Sequence, residues 1–273
     1  MIRVMTLDTG DLPDHATNRL QQGSASTGPG NIDILCCQSI KHSLGGNEEV
    51  TRALAQSLEL TCSCFAAHHL QHGVTEQQGV SGLAIMAGAG VWMLNSGSFP
   101  VLGDQKGEER IVQFALVRKN GASILVLNLQ LAASVPSQRA QLYALFSHPL
   151  LKERYGAVVL CADRQTALSG KALRVLTARS GYAMHRNFKS ARPSQETGTL
   201  CLLTAREQAT TAVTLHNANV LLTEGLWGMP QPVLTLEFDM KRVVKDNKYR
   251  HCLPLSFREQ WLGSKEKYPA FVA

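Results

Sequence analysis

This chain of 273 residues contains no long apolar run. We also expect no secretory signal peptide at its N-terminus. No stretch approaches the roughly 20 consecutive apolar residues that a membrane-spanning helix needs. The first apolar segment already begins at Ile2, which leaves no room for a basic region, an apolar run and a cleavage site before it. We therefore expect a soluble, intracellular protein, with no indication of its compartment.

The cysteines do not form the pattern of a disulfide framework. There are seven of them, which is an odd number in a large chain. Cys36, Cys161 and Cys201 lie in apolar runs, so we expect them to pack as small hydrophobic side chains. Cys62 and Cys64 are one residue apart, whereas a zinc knuckle or a redox pair has a two-residue spacer. The sequence therefore gives little support to a cysteine-based metal or redox centre.

Histidines and aromatic residues are few and give no strong motif. His68, His69 and His72 are close together, but Gly73 and the glutamines around them predict a polar loop rather than a zinc site. Aromatic residues make up only 6% of the chain. The three tryptophans are scattered, and we expect them, Trp92 included, to pack in the core or at its rim.

Positive charge is concentrated at the C-terminal end of the chain. The formal charge of the whole chain is +6, and residues 239–273, with eight basic and four acidic residues, carry +4 of it. This segment is either a solvated extension or a contact surface for phosphates or acidic partners. We predict a domain over residues 1–238 and a basic extension over residues 239–273. The candidate contacts to a phosphate or a partner are Lys241, Arg242, Lys245, Lys248 and Arg250.

Most of the apolar segments predict strands. Residues 2–7, 32–38 and 155–162 are mainly apolar and predict strands, and the run over 32–38 is typical of a strand buried on both faces. Residues 110–118 and 122–131 flank an Asn-Gly pair, which is the strongest short signal for a β-hairpin.

Several helices are expected, and strands dominate the late part of the chain. Asn47 is a plausible N-cap for a helix that continues to Leu58, and a second helix is predicted over residues 137–151. Residues 212–215, 220–222 and 232–238 predict three further short strands. A chain that mixes strands and helices in this way predicts an α/β (α+β) protein with two packed sheets covered by helices.

Six short segments follow one another in an order that resembles a known family. They are residues 5–8 (MTLD), 33–39 (DILCCQS), 82–87 (GLAIMA), 128–131 (NLQL), 160–165 (LCADRQ) and 228–233 (GMPQPV). They resemble the motifs of the endonuclease/exonuclease/phosphatase superfamily, which includes exonuclease III-like and DNase I-like enzymes. The resemblance covers roughly residues 1–238. It implies a DNase I-like fold, a four-layer sandwich of two packed mixed β-sheets flanked by helices.

The resemblance breaks at the residues that carry the family's chemistry. Family enzymes cleave phosphate esters with a divalent metal, which is held by a glutamate and an asparagine at strand ends. Here those positions are Ser39 and Asp8. The histidine that contacts the phosphate is Gln130, and of the family's Asp and Asn pair only Asp163 remains, because Gln165 replaces the asparagine.

The closing Asp–His pair of the family is also replaced. One alignment places Met229 and Pro230 there, and a second places His251 and Cys252. Neither alternative retains the pair that activates water. Water is a poor nucleophile without a base or a metal, so the resemblance implies a pocket with little hydrolytic activity by the family's mechanism.

Three hypotheses follow for the function. The first is a non-catalytic binding protein that contacts RNA, a protein or a phosphate-bearing ligand and needs no cofactor. The second is a divergent phosphodiesterase, nuclease or phosphatase in which Asp8 and Asp163 share Mg²⁺ or Mn²⁺; the same two carboxylates can instead cap strands or raise each other's pKa. The third is an unrelated α/β protein. The vestigial pocket comprises Asp8, Gln38, Ser39, Asn128, Gln130, Asp163 and Gln165.

Overall fold

The computed structural model describes most of residues 1–242. The described ranges are 1–9, 32–43, 49–71, 79–101, 110–132, 134–153, 155–163, 173, 177–185, 199–205, 211–223 and 231–242. The expected site residues Gln165, Met229 and Pro230 lie outside them, as do His251, Cys252 and the basic residues beyond Arg242.

Strands make up most of the described structure. In chain order they are β1 (Ile2–Asp8), β2 (Ile34–Ser43), β3 (Leu60–Gln71), β4 (Gly79–Gly88), β5 (Trp92–Val101), β6 (Arg110–Lys119), β7 (Ala122–Leu129), β8 (Ala157–Ala162), β9 (Tyr182–His185), β10 (Thr199–Ala205), β11 (Thr211–Thr223) and β12 (Gln231–Arg242). The helices are α1 (Glu49–Ser57), α2 (Val135–Ser147) and a 3₁₀ turn (Pro149–Lys152), and residues 177–179 are also helical. None of these helices has the length and hydropathy that crossing a bilayer requires.

The strands form two six-stranded mixed sheets. The first has the order β11-β12-β1-β2-β4-β3, and the second has the order β5-β6-β7-β8-β10-β9. In each sheet one central pair is parallel, β1 with β2 and β7 with β8, and the other neighbours are antiparallel. The predicted fold class, two packed mixed sheets with helices, is confirmed.

The continuous apolar runs of β1 and β2 are buried on both faces. Val4 and Cys36 belong to the core between the two sheets. Met5 and Leu35, which alternate with them, pack on the outer face of the first sheet with Leu54 of α1. Successive side chains of a strand point to opposite faces of the sheet. A strand that is covered on both faces is therefore apolar at most positions and does not alternate between apolar and polar residues.

Turn chemistry confirms the predicted hairpin between β6 and β7. Asn120 and Gly121 have φ values of 52° and 76°, which is the left-handed backbone that the Asn-Gly pair tolerates.

The second predicted helix ends earlier than expected, at Ser147, because Pro149 cannot continue an α-helix. The chain makes the 3₁₀ turn there instead.

The predicted loop around the histidines is wrong where the structure describes it. His68 and His69 lie on β3, whose pairing with β4 outweighs its polar sequence. Trp92 is also not in the core, since it is 73% exposed on β5. Cys36, Cys161 and Cys201 are fully buried, as expected.

Two of the late strands also differ from expectation. β11 is one strand with an irregular register between Leu215 and Asn217, rather than two short strands. β12 continues past residue 238, so the backbone of Lys241 and Arg242 pairs with β11.

Charged groups join the sheets at the amino ends of β1 and β2. The Asp33 carboxylate accepts a hydrogen bond from the Arg3 backbone N–H at 2.8 Å and forms an ion pair with Lys119 of the opposite sheet. Arg3 Nε also contacts Glu237 Oε1 at 2.6 Å. Asp33 is nearly buried, so these contacts fix this end of the sandwich and leave the other end for the candidate site.

Candidate functional site

The carboxyl ends of the two parallel strand pairs bring the predicted pocket residues together. Asp8 at the end of β1 is in register with Gln38 of β2. Leu129 at the end of β7 is in register with Ala162 of β8, and the Asp163 N–H donates to the Leu129 carbonyl at 3.3 Å. In a parallel pair both carboxyl ends lie at one edge of the sheet, where functional residues commonly gather.

Strand alternation explains which side chains point between the sheets. Val4, Cys36, Val126 and Val159 belong to the inter-sheet core. Residues an even number of positions further along each strand share that face. Among them are Asp8, Gln38, Asn128, Gln130 and Asp163. The sequence therefore delivers its polar residues to the gap between the sheets, immediately beyond the apolar core.

A buried amide pair joins the sheets beneath this rim. Gln38 and Asn128 are 1% and 0% exposed. Gln38 Nε2 donates to Asn128 Oδ1 at 2.6 Å and to Thr6 Oγ1 at 2.8 Å. The Thr6 hydroxyl is also 3.3 Å from Gln38 Oε1. Buried polar groups are costly unless they are paired, and these pair with one another.

Asn128 extends the network into both sheets. Its Nδ2 lies 2.9 Å from the Cys37 carbonyl, 3.0 Å from the Ala84 carbonyl and 3.2 Å from Gln113 Oε1. Gln113 Nε2 in turn donates to the Cys64 carbonyl on β3 at 3.0 Å. The Asn128 amide therefore has an acceptor for each of its N–H groups and a donor for its oxygen. The sequence alone did not lead us to expect a role for Gln113. The available signal was its position on a predicted strand, two residues before apolar side chains that point inward.

A β-bulge places Ser39 at the rim. The register of β2 against β4 shifts between Cys37 and Ile40. Ser39 has a φ of 59°, which is uncommon for a residue with a side chain. Its hydroxyl lies 3.4 Å from Gln130 Nε2, at the long end of hydrogen-bond range, and the Gln38 carbonyl accepts from the N–H and hydroxyl of Thr9. The Ser39 hydroxyl and the Gln130 amide therefore face each other. They stand where the resemblance places the metal-binding glutamate and the phosphate-contacting histidine.

The two carboxylates of the site differ in their surroundings. Asp8 is partly exposed, whereas Asp163 is fully buried. Burial, with a further contribution from the Asp8 charge, raises the pKa of the neighbouring Cys37 thiol well above its ordinary value. Cys37 is therefore a neutral group that packs in the core.

The described pocket residues offer Asp8 and Asp163 as carboxylate ligands for magnesium and few further ligands. Mg²⁺ requires near-octahedral oxygen ligands that include carboxylates. The Gln38 and Asn128 amides are engaged in the buried network, Ser39 offers a neutral hydroxyl, and Asp163 is enclosed. Across the described ranges no group of three or more His, Cys, Asp and Glu side chains is placed to bind a metal ion.

Helix α2 fixes the chain just beyond Gln130. Gln141 Oε1 accepts a hydrogen bond from the Ala132 N–H at 2.9 Å, and Gln138 Nε2 donates to the Ala132 carbonyl at 2.8 Å. Both glutamines are buried. Two amides on one helix face therefore hold both backbone groups of Ala132, which positions the segment that carries Gln130.

Solved structures share this architecture. The catalytic domain of human Nocturnin, determined with a bound sulfate anion, has a TM-score of 0.63 at 15% identity and covers 88% of this chain and 94% of that chain. The fold is that of the endonuclease/exonuclease/phosphatase proteins. A protein of that family from Leptotrichia buccalis has a TM-score of 0.62 at 10% identity, covering 88% of this chain and 100% of the other.

A third solved structure with this fold has a named phosphatase activity. The mannosyl-6-phosphatase of Bacteroides thetaiotaomicron has a TM-score of 0.58 at 10% identity and covers 88% of this chain and all of its own. No protein-family model matches the chain, and no curated protein matches it. At these identities the likeness establishes the endonuclease/exonuclease/phosphatase fold alone.

Proposed function

We propose that this protein is a non-catalytic binding protein built on the endonuclease/exonuclease/phosphatase fold. The observation that carries the proposal is that neutral residues, Ser39 and Gln130, stand at the positions of the family's metal-binding glutamate and phosphate-contacting histidine and contact each other. Beneath them, Gln38 and Asn128 are engaged in hydrogen bonds that join the two sheets. A pocket floor made of mutually satisfied amides supports structure and shape, not proton transfer.

The residues above this floor also lack the chemistry of hydrolysis. Ser39 and Gln130 are neutral at every physiological pH and contact each other. Removing a general base alone costs about 10²–10⁴-fold in rate. Asp163 is fully buried, which leaves Asp8 as the only partly exposed carboxylate among the described pocket residues.

The ligand class that we propose is RNA or another phosphate-bearing molecule. Two features support it. Basic residues are concentrated from Lys241 onward, and such a segment contacts phosphates in a salt-dependent way. In addition, one solved structure with this fold is a phosphatase of a phosphorylated sugar. A protein partner with an acidic surface is the alternative that the same basic residues fit.

Hydrolysis is tested with a model phosphodiester, bis(p-nitrophenyl) phosphate, in the presence of Mg²⁺ or Mn²⁺. We expect no turnover above the buffer rate. Metal-dependent turnover that Asp163→Asn abolishes, and that the control variant Asp239→Asn retains, would overturn the proposal in favour of a divergent phosphoric ester hydrolase. Asp239 is a suitable control because it is an exposed acid paired with His216 on β11, on a different strand pair from the pocket residues.

Binding is tested separately by fluorescence anisotropy with a labelled single-stranded RNA. Each phosphate contact contributes about 0.7 to the slope of log K against log salt for a single strand. Replacing Lys245, Lys248 and Arg250 by glutamine in the full chain should therefore lower the slope by about 2. The control replaces Lys265 and Lys267, which are basic residues of the same segment. Affinity that does not change with salt, or equal effects of the two variants, contradicts the RNA assignment.

A further inference from the structure

The outermost strands of both sheets contain no formally charged residue. β3, β11, β5 and β9 form the four sheet edges among the described strands. Together they contain thirty-nine residues, none of which is Lys, Arg, Asp or Glu. At the 18% charged content of the whole chain, about seven would be present. Charge is one of the features that protect edge strands from pairing with another chain, and these four strands lack it.

Strand β5 shows this most clearly. Trp92 is 73% exposed and Leu94 is 46% exposed, and the next residues, Asn95 and Ser96, are exposed and neutral. Within the described part of the chain, β5 pairs with β6 on one side only. A tryptophan this exposed on an edge strand is typical of the anchor residues found in protein interfaces.

Two of the neutral edges adjoin on one side of the sandwich. β3 of the first sheet contacts β5 of the second, and Gln113 on β6 hydrogen-bonds to the Cys64 carbonyl of β3. Thr61, Cys62 and Ser63 of β3 are exposed. We call this surface, formed by β3 and β5, the neutral edge. It offers an open strand beside a second row of small, uncharged side chains.

We propose that the neutral edge is a dimerisation surface on which β5 pairs with β5 of a second copy of this chain. In a twofold antiparallel pair the middle residues of the strand meet their own counterparts, so a charge there would face a like charge. A strand free of charge suits its own copy, whereas a surface for a different partner commonly carries complementary charges. The absence of charge therefore favours a second copy as the occupant.

The geometry of β5 limits how much of the strand can pair. Pro100 lacks an N–H group and the register of β5 is irregular between Met93 and Asn95. These features predict an interface centred on Ser96.

The experiment is sedimentation velocity of the full chain between about 5 and 200 µM, a range that detects a dimer of micromolar affinity. We expect a concentration-dependent monomer–dimer equilibrium. Trp92→Ser should weaken it at least about thirtyfold, which corresponds to about 2 kcal/mol. Tyr143→Ser, which removes an aromatic side chain that is 62% exposed on α2, is the matched control and should leave the equilibrium unchanged.

A charge swap at Ser96 separates pairing from misfolding. Ser96→Lys and Ser96→Glu should each be monomeric because like charges meet at the twofold axis, and a mixture of the two should dimerise. A wild-type protein that remains monomeric at 200 µM overturns the proposal. A dimer that persists in Ser96→Lys also overturns it, as does a mixture that fails to associate.

Discussion

Replacing Asn128 by alanine removes the side chain that joins the two sheets beneath the rim. The Cys37 and Ala84 carbonyls and Gln113 Oε1 lose their amide donor, and Gln38 loses the acceptor 2.6 Å away. Leaving one buried polar group without its partner costs about 1–3 kcal/mol. Four such groups set a range of about 4–12 kcal/mol, and local relaxation should bring the measured loss toward about 3–5 kcal/mol.

The assay for Asn128→Ala is urea denaturation at pH 7, with the slope of the transition compared with that of the wild type to confirm two-state unfolding. Gln130→Ala is the matched control, because Gln130 is partly exposed and makes one contact of 3.4 Å. It should cost less than about 1 kcal/mol. A double-mutant cycle with Gln38→Ala should give a coupling of at least about 1 kcal/mol. If the unfolding free energy of Asn128→Ala is within about 1 kcal/mol of the wild-type value, the network does not hold the two sheets together.

Three further substitutions test other parts of the structure. Gly82→Ala should destabilise the protein by about 1–3 kcal/mol in urea denaturation, because its Cβ would lie 2.3 Å from the Ala66 carbonyl oxygen; an unchanged midpoint would show that β3 moves aside freely. Lys119→Met should lower the unfolding free energy by about 3 kcal/mol, because the nearly buried Asp33 carboxylate would lose its cation. A loss below about 0.5 kcal/mol would show that the pair behaves as a surface contact. Burial lowers the pKa of His148 in the folded protein below its ordinary value of 6.5. Below pH 6.5 the unfolded chain therefore binds a proton more readily than the folded protein. The contribution of His148 to stability is complete above pH 6.5 and is lost as the pH falls toward the folded-state pKa. His148→Asn should therefore flatten the decline in unfolding free energy below pH 6.5, and an equally steep decline in both proteins would contradict this.

Much of the fold could be predicted because strands buried on both faces are visible as uninterrupted apolar runs. β1, β2, β8 and the β6–β7 hairpin were found this way. β3 was not, because an edge strand buries little and its sequence is free to be polar; only its pairing with β4 defines it. Sequence therefore predicts the centre of each sheet better than its edges.

The candidate site was predictable in position but not in its bonding. Ser39 and Gln130 contact each other, and Asp8 and Asp163 lie at the ends of β1 and β8. What the motifs do not reveal is whether an amide at such a position faces the rim or the other sheet. Gln38, for example, is bonded to Asn128 from the opposite sheet, and such a contact depends on how the two sheets pack.

The most direct test of the non-catalytic proposal is the electron paramagnetic resonance signal of free Mn²⁺ in the presence of the full-length protein. With protein in excess over metal, the proposal predicts that the signal keeps the intensity it has in buffer, because Ser39 and the engaged amides leave no set of ligands for a dication. A signal quenched in proportion to the protein, and restored when Asp8 or Asp163 is replaced by asparagine, would contradict it.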